Sequence, residues 1–389
     1  MARGVTAAQG FRAAGVPAGI SAKPGKLDLA LVVNDGPRFA AAGVLTRNKV
    51  KAAPVLWTEQ VLTAGRLRAV VLNSGGANAC TGPEGFQATH STAERVAELL
   101  GCGAVEVAVC STGLIGEQLP LPNVLSGVDK AAGELAATAD GGSAVATAIM
   151  TTDTVSKQDA VTDPAGWTVG GTTKGAGMIA PSMATMLSVI TTDAVLEQPA
   201  LDAALHEAVR LSFDRLDIDG SMSTNDTVLL LSSGASGVEA DPAEFTTALT
   251  RVCQDLAARM QADAEGVTKR ITVRVTGAAS EDDAVVVART IARDSLVKTA
   301  IFGSDPNWGR IAAAAGYADA AVEPETLDVT INGVLLCRGA VVAGDRAAAD
   351  LSGKDVLVEV GLGLGDGTAE IRTTDLSHAY VEENSAYSS

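Results

Sequence analysis

The segment Thr173-Lys174-Gly175-Ala176-Gly177-Met178-Ile179-Ala180-Pro181-Ser182-Met183-Ala184-Thr185-Met186-Leu187 places a hydroxyl nucleophile and a lone cation close together in the chain. Gly175, Gly177 and Pro181 are turn formers, and Lys174 is the only charged residue from Gly166 to Thr192. Composition alone describes a surface loop entering a buried strand. Three features argue for more. An apolar loop satisfies its own backbone groups poorly unless something holds it. The single Lys is placed to meet an anion or a carbonyl. Thr185 follows Ala184, whose small side chain leaves its carbonyl reachable. A threonine hydroxyl is a weak nucleophile until a base takes its proton. A chain break just before Thr185 would put that base on the same residue, because a free α-amino group has a pKa of ~7.7–8.0, close to working pH. The β-branch also restricts χ1 and helps to aim the hydroxyl.

A nucleophile of this kind needs no histidine. His90, His206 and His378 all lie away from any turn-plus-nucleophile context, so a Ser-His-Asp triad is not supported; each reads as a helix-surface or partner-satisfied residue. Ser111-Thr112-Gly113 ends a predicted strand, Val105–Cys110. It reads either as a strand-ending turn or as an oxyanion hole, since a hydroxyl and a backbone N–H at a strand end can point at one spot. Lys174 reads as a carboxylate or carbonyl partner, or as a solvated loop lysine. Thr151 can donate a hydroxyl. Glu265 can hold an ammonium group; it follows a predicted helix end, where the dipole disfavours a carboxylate and a compensating partner is expected. Other signals are weaker. Gly361-Leu362-Gly363-Leu364-Gly365-Asp366-Gly367 lacks the following helix of a dinucleotide site. Asp217-Ile218-Asp219-Gly220 lacks the closing Glu of a calcium loop. Arg310, beside Trp308, reads as a structural cation–π or salt-bridge residue.

Regular elements must carry these groups. Leu27–Asn34, Leu67–Asn73, Val105–Cys110, Leu187–Thr192, Thr227–Ser232 and Ile271–Val275 read as strands. Gly85–Leu100, Leu125–Ala137, Ala200–Leu211, Pro242–Ala262 and Asp282–Arg293 read as helices. The last stretch is mostly β: Leu327–Leu336 holds an Asn332-Gly333 hairpin turn, and Val356–Val360 and Ala369–Arg372 flank an Asp366-Gly367 turn. The fold class is α/β, with mixed sheets covered by helices. No Pro- or Ser-rich linker cuts the chain, so its two halves are expected to share a core.

The chain has 389 residues, 47% hydrophobic and 3% aromatic, so its core rests on many small aliphatic contacts. A net charge of −17 opposes nucleic acid and anionic lipid, and neither is expected as a partner. Cys80, Cys102, Cys110, Cys253 and Cys337 are scattered and form no CxxC pair, which argues against a disulfide framework or a zinc site. No apolar signal segment opens the sequence and no run approaches the ~18 residues of a membrane span, so a cytoplasmic location is expected.

The stretch Lys174–Leu187 resembles the signature of ornithine acetyltransferases, the family of bifunctional glutamate N-acetyltransferases of arginine biosynthesis. Further similar blocks are Gly10–Val16, Asn73–Gly82, Ser111–Gly116, Ser223–Thr227 and Asp305–Ile311, so the resemblance spans the chain. It implies a two-lobed, self-cleaving architecture of the N-terminal-nucleophile type, cut between Ala184 and Thr185 into fragments 1–184 and 185–389. It implies Thr185 as nucleophile and Thr112 with Gly113 as oxyanion hole. Substrate contacts fall on Thr151, Lys174, Thr185, Glu265, Asn384 and Ser389; many relatives end in Thr where this chain has Ser389. The implied reaction moves the acetyl group of N2-acetyl-L-ornithine to L-glutamate through an acetyl-Thr185 ester, without metal or organic cofactor. Acetyl-CoA is a possible second donor, and two copies of each fragment are expected to associate. The alternative is a related self-cleaving aminopeptidase or amidase that passes its acyl group to water; a non-enzymatic amino-acid-binding regulator would stay uncut.

Overall fold

The computed structural model describes residues 4–180 and 186–386. Ala184, Thr185 and Ser389 lie outside the described residues. In chain order the elements of the first part are β1 (Phe11–Val16), β2 (Leu29–Asn34), β3 (Ala41–Leu45), α1 (Ala53–Leu62), β4 (Ala69–Ser74), α2 (Gly82–Leu100), β5 (Val107–Thr112), α3 (Leu121–Glu134), α4 (Ala139–Ala148), β6 (Lys157–Thr162), β7 (Thr168–Lys174), β8 (Leu187–Thr192), α5 (Gln198–Arg210), β9 (Thr227–Ser232) and α6 (Pro242–Ala262). The rest are β10 (Arg270–Ala278), α7 (Glu281–Arg293), α8 (Ser295–Phe302), α9 (Trp308–Gly316), β11 (Asp328–Ile331), β12 (Val334–Arg338), β13 (Val341–Val342), β14 (Asp355–Gly361), β15 (Gly367–Thr374) and α10 (His378–Ala386). The chain divides into two compact units, Met1–Asp214 with Ser221–Met260, and Arg215–Gly220 with Gln261–Ser389.

The first unit holds two sheets. One runs β1-β2-β4-β5, the other β3-β9-β8-β7-β6. The segments LALVVN (β2), AVVLNS (β4) and VAVCST (β5) are apolar without alternation, and every residue in them is buried. That is the pattern of strands covered on both faces. β4 and β5 are parallel, and α2 makes the crossover between them. From α1, the Trp57 indole donates to the Val107 carbonyl at 2.9 Å and the Thr58 hydroxyl donates to that of Val109 at 2.8 Å, which fixes β5 from outside its sheet. In the second sheet β7 and β8 are antiparallel, with Lys174 opposite Leu187, and β8 and β9 are parallel, with Leu187 opposite Thr227. One apolar cluster includes Phe11, Leu29, Leu72, Val109, Leu187 and Leu229, so it draws on both sheets.

The second unit is a sheet ordered β13-β12-β11-β14-β10-β15. Along β10, Ile271, Val273 and Val275 are buried while Arg270, Thr272 and Arg274 are only half so, the period of two that puts one face on a core. Arg274 bridges Glu370 of β15 at 2.6 Å and Glu359 of β14 at 3.0 Å, its register partners on the two sides. α7 buries Ala284, Val287, Ala288, Ile291 and Ala292, a single helical stripe. The Ser280 hydroxyl caps its first turn, which is acidic, and Arg293 closes its last.

Leu187–Thr192, Thr227–Ser232 and Pro242–Ala262 coincide with β8, β9 and α6. Two expectations need correction. Asp366-Gly367 does not join paired strands, because β10 lies between β14 and β15 and pairs with both. The halves of the chain share a core only in part. Residues 187–260 complete the core of the first unit, but Ile271, Val273, Ile291, Val329 and Val358 belong to a separate cluster. Ile271 is fully buried, so Ile271→Ala is expected to cost about 2–5 kcal/mol. Leu296→Ala, at a side chain 58% exposed, is expected to stay within about 0.5 kcal/mol. Urea unfolding of the two variants checks the contrast.

Candidate active site

In the first unit a buried ammonium organises the predicted residues. Lys174 closes β7 and is 1% exposed, so it is neither a loop residue nor a solvated one. Its Nζ donates to Thr151 Oγ1 at 2.8 Å and to Thr112 Oγ1 at 3.3 Å. Thr112 is the last residue of β5 and Thr151 follows α4, so the cluster gathers three separate elements. A lysine ammonium has donors and no acceptor. Each threonine oxygen therefore accepts from Lys174, and each keeps its own O–H proton to donate elsewhere. A cation behind the oxygen makes that hydroxyl a stronger donor.

Asp153 holds the ammonium in place. Its Oδ2 is 3.9 Å from Lys174 Nζ and accepts the Thr151 N–H at 3.1 Å. Its Oδ1 accepts from Lys157 Nζ at 2.7 Å and from the Gly175 N–H at 2.7 Å. Burial alone would raise this carboxyl, but the charges of Lys174 and Lys157 and the donated hydrogen bonds outweigh it and hold it at about 2. Lys26 adds a third cation nearby, donating to the Met150 carbonyl at 2.7 Å. Burial first, and the neighbouring Lys23 next, lower its pKa.

Gly113 has φ +135°, and a Cβ there would stand 2.5 Å from the Gly76 nitrogen. Only glycine fits beside that backbone without displacing it. Thr112 is thus a strand residue rather than part of a turn, and the chain bends immediately after it.

The start of β9 supplies two groups that sequence reasoning did not assign. The Asn225 side-chain amide donates to the Ala77 carbonyl at 2.6 Å and to the Ser111 carbonyl at 2.8 Å, pinning the end of β5. Asp226 Oδ1 accepts the Met186 N–H at 3.0 Å, and the Met186 carbonyl accepts from the Thr227 N–H at 3.1 Å. The residue after Thr185 is therefore held at both its backbone groups. Asp226 is fully buried, which pushes its carboxyl well above the usual range; the Met186 amide, Ser223 and the charge of Lys174 pull the other way without overcoming it. The readable signal for these residues was the polar Ser223–Thr227 block running straight into a strand.

Glu265 and Asn384 meet on the second unit. Asn384 Nδ2 donates to Glu265 Oε2 at 2.9 Å and to the Tyr380 carbonyl at 3.0 Å. Gly266, at φ +60°, lets α10 approach, since a Cβ there would lie 2.1 Å from the Tyr380 nitrogen. The C-terminal segment is thus helical and anchored up to Ala386. Ala184 and Thr185, and Ser389 at the chain end, fall outside the described residues.

The other histidines and motifs have structural partners. His90 on α2 stacks on Trp57 with ring centroids 5.0 Å apart, His206 on α5 lies 3.6 Å from Asp202, and His378 packs edge-on against Phe302. Asp217 pairs with Arg293 at 2.6 Å. Arg310 donates to the Leu296 carbonyl, in the first turn of α8, at 2.6 Å, and no cation–π or salt-bridge contact of it is found among the described residues. Among the described residues no group of His, Cys, Asp and Glu could hold a metal ion, and no helix is long and apolar enough to cross a membrane.

Relatives agree over the full length. The arginine biosynthesis bifunctional protein ArgJ of Mycolicibacterium paratuberculosis is 63% identical over 392 residues, covering 100% of this chain and 97% of that protein. The protein of the same description from Mycobacterium tuberculosis is 64% identical over 393 residues, with the same coverage. Among solved structures, the arginine biosynthesis bifunctional protein ArgJ of Bacillus halodurans is 38% identical at a TM-score of 0.50, over 51% of this chain and 98% of that one. An ornithine acetyltransferase from Mycobacterium tuberculosis, complexed with ornithine, is 64% identical at a TM-score of 0.46, over 46% of this chain and 96% of that one. The family model described as the ArgJ family matches residues 12–389, and with relatives at this identity over its whole length, the chain belongs to the ArgJ family.

Proposed function

We propose that this chain is an acyltransferase of arginine biosynthesis that moves the acetyl group of N2-acetyl-L-ornithine to L-glutamate through an ester on Thr185. The observation that carries the reading is the buried ammonium of Lys174, set between the hydroxyls of Thr112 and Thr151. It lies on the strand that pairs with β8, opposite Leu187, two residues beyond Thr185. Membership of the ArgJ family and the names of relatives 63–64% identical support the same reaction over hydrolysis by an aminopeptidase or amidase.

The chemistry follows from the groups. The Thr185 amine takes the proton of its own hydroxyl as the oxygen attacks the acetyl carbonyl carbon. Negative charge develops on the carbonyl oxygen. The Thr112 hydroxyl, polarised by Lys174, donates to it together with the Gly113 N–H. The tetrahedral centre collapses, the C–N bond breaks, and the amine proton passes to the departing ornithine nitrogen. Glutamate then attacks the ester through its α-amine, and Thr185 regains its hydroxyl proton. By the resemblance, Lys174 and Thr151 take the substrate's polar groups, Glu265, whose carboxylate accepts from Asn384, takes the side-chain ammonium of ornithine, and Ser389 is a further contact. No metal or organic cofactor enters these steps. Acetyl-CoA as a second donor would reach the same ester, and the word bifunctional in the relatives' names supports a second reaction at the site. We place the enzyme in the cytoplasm.

The amine exists only once the chain is cut, so the reading includes self-cleavage between Ala184 and Thr185, giving fragments 1–184 and 185–389. In support, the Bacillus halodurans chain is matched over 98% of its length by only 51% of this one, so it is about half as long. The fragments would stay together, because β8 and β9 of the second sit in one sheet with β3, β7 and β6 of the first; two copies of each would form the assembly.

Three outcomes are expected. Intact mass and N-terminal sequencing of purified protein should show a chain beginning at Thr185, while Thr185→Ala stays whole and transfers no acetyl group; a full-length species active at normal rates would sink the mechanism. Thr112→Ala should lower kcat by about 10²–10³, the usual cost of one oxyanion donor, with an unchanged unfolding transition; near-normal turnover removes Thr112 from the mechanism. Asp153→Asn leaves Lys157 and Lys174 buried without their counter-charge, and should cost about 3–5 kcal/mol at neutral pH, read by urea unfolding. Because folding depresses the Asp153 pKa, its stabilisation is present above the ordinary value of 3.8 and is lost as pH falls through about 2. The difference between wild type and variant should therefore shrink between pH 4 and pH 2, taken from that shift.

A further inference from the structure

The proposed self-cleavage has an unmet requirement. Before the cut, the nitrogen of Thr185 is an amide and cannot accept a proton. Some other group must take the proton of the Thr185 hydroxyl when it attacks the Ala184 carbonyl, and must supply a proton to the nitrogen that leaves. The buried acidic and basic side chains around the site narrow the choice. Lys174 is a cation engaged by Thr112, Thr151 and Asp153, and has no acceptor to offer. Asp153, held at about 2 by two ammonium groups, is too weak a base. His90, His206 and His378 belong to α2, α5 and α10.

Asp226 differs on each count. Its Oδ1 accepts the Met186 N–H at 3.0 Å. Only four covalent bonds separate that nitrogen from the Thr185 hydroxyl oxygen, and four from the Ala184 carbonyl carbon. Its Oδ2 is fully buried with no hydrogen-bond partner among the described residues. A buried carboxyl oxygen without a partner is costly, and one that persists calls for a functional account. The β8–β9 ladder, which begins at Leu187 and Thr227, fixes the carboxyl relative to the chain it touches.

We infer that Asp226 is the proton carrier of maturation, serving the Thr185 hydroxyl and the Thr185 nitrogen in turn. The step balances as follows. Asp226 Oδ2 takes the hydroxyl proton while the Thr185 oxygen bonds to the Ala184 carbonyl carbon. The same proton then passes to the Thr185 nitrogen as the C–N bond breaks, leaving an Ala184–Thr185 ester and a free amine. Water hydrolyses the ester to the Ala184 carboxylate and the Thr185 hydroxyl, and the amine takes up the proton released. Asp226 ends as it began. Burial suits it to this, because raising the carboxyl well above its ordinary range makes its carboxylate a stronger base. Two carboxyls that feel the charge of the same Lys174 and are driven apart in this way mark divided roles, with Asp153 as counter-charge and Asp226 as proton carrier.

The inference rests on cleavage before Thr185, and the test separates the two. Full-length wild type, Thr185→Ala, Asp226→Asn and Asp226→Ala are purified, their thermal unfolding compared, and their intact mass followed over time with and without sodium formate. Loss of the proton carrier should slow fragment formation by about 10²–10⁴ in Asp226→Asn, which keeps the shape of the side chain and can still accept the Met186 N–H. Formate, which fits the space left by the carboxyl, should restore cleavage in folded Asp226→Ala and leave Asp226→Asn and Thr185→Ala unchanged. A purely structural residue would not respond to formate. Wild-type cleavage rates in Asp226→Asn, or folded Asp226→Ala that formate leaves uncut, overturn the role of Asp226 alone. A wild type that does not break before Thr185 overturns the nucleophile reading itself.

Discussion

The first unit turns on one short piece of chain, Asn225-Asp226-Thr227, where β9 begins. Asn225 ties down the end of β5 through the Ser111 carbonyl, and Asp226 with Thr227 ties down both backbone groups of Met186. The strand of the proposed oxyanion site, β5, and the strand that follows the proposed nucleophile, β8, come from different sheets. Nothing in their own sequences sets their separation. It is set by consecutive residues of a third strand, whose spacing is fixed by covalent geometry to a few ångströms. A proposed catalytic pair that needs sub-ångström placement is thereby referred to a single rigid ruler.

Burying charge is the second constraint, and the site handles it in two opposite ways. Lys174, Lys157 and Asp153 lie in an apolar interior where an unpaired ion would cost several kcal/mol. They persist because each is paired and each carboxylate oxygen accepts from backbone or ammonium. The surplus positive charge of the cluster points to a ligand that brings a carboxylate, which both acetylornithine and glutamate do. Asp226 is buried without such a cation at hydrogen-bond distance, and burial raises its carboxyl instead. The overall charge of −17 conceals this local reversal of sign.

How far the sequence revealed this depends on whether a feature is local. The Asn332-Gly333 hairpin was legible because its pairing, Ile331 with Val334, spans only the turn. The α7 stripe was legible from its period. The parallel pairing of β10 with β14 was not, since some eighty residues intervene and no turn residue encodes it. β7 was not assigned for another reason: Thr168–Lys174 contains Gly170-Gly171 and few bulky groups, and its last residue, Lys174, was read with the glycine-rich loop that follows. That misplacement made Lys174 a loop residue on paper. Thr112, Thr151 and Lys174 could be picked out by type, yet their meeting is a product of three elements. Asp153 carried no signal, because a lone acid two residues after a threonine resembles any polar turn.

The order β3-β9-β8-β7-β6 also bears on what a cut before Thr185 would do. A break in a loop between two domains frees them to separate. Here the strands on either side of the segment, β7 and β8, are antiparallel neighbours paired from Lys174–Leu187 to Val169–Thr192, and β9 beyond them is paired to β3. The second fragment's strands therefore have first-fragment strands on both sides, and Leu187, Val189, Leu229 and Leu231 pack in the same cluster as Phe11 and Leu29. Among the described residues, the β7–β8 and β8–β9 ladders do not run through the peptide bond before Thr185. Met186, next to the cut, stays held at both its N–H and its carbonyl. In the proposed mechanism, a base that does not exist in the precursor appears one residue from a fixed point, Met186, whose backbone Asp226 and Thr227 pin.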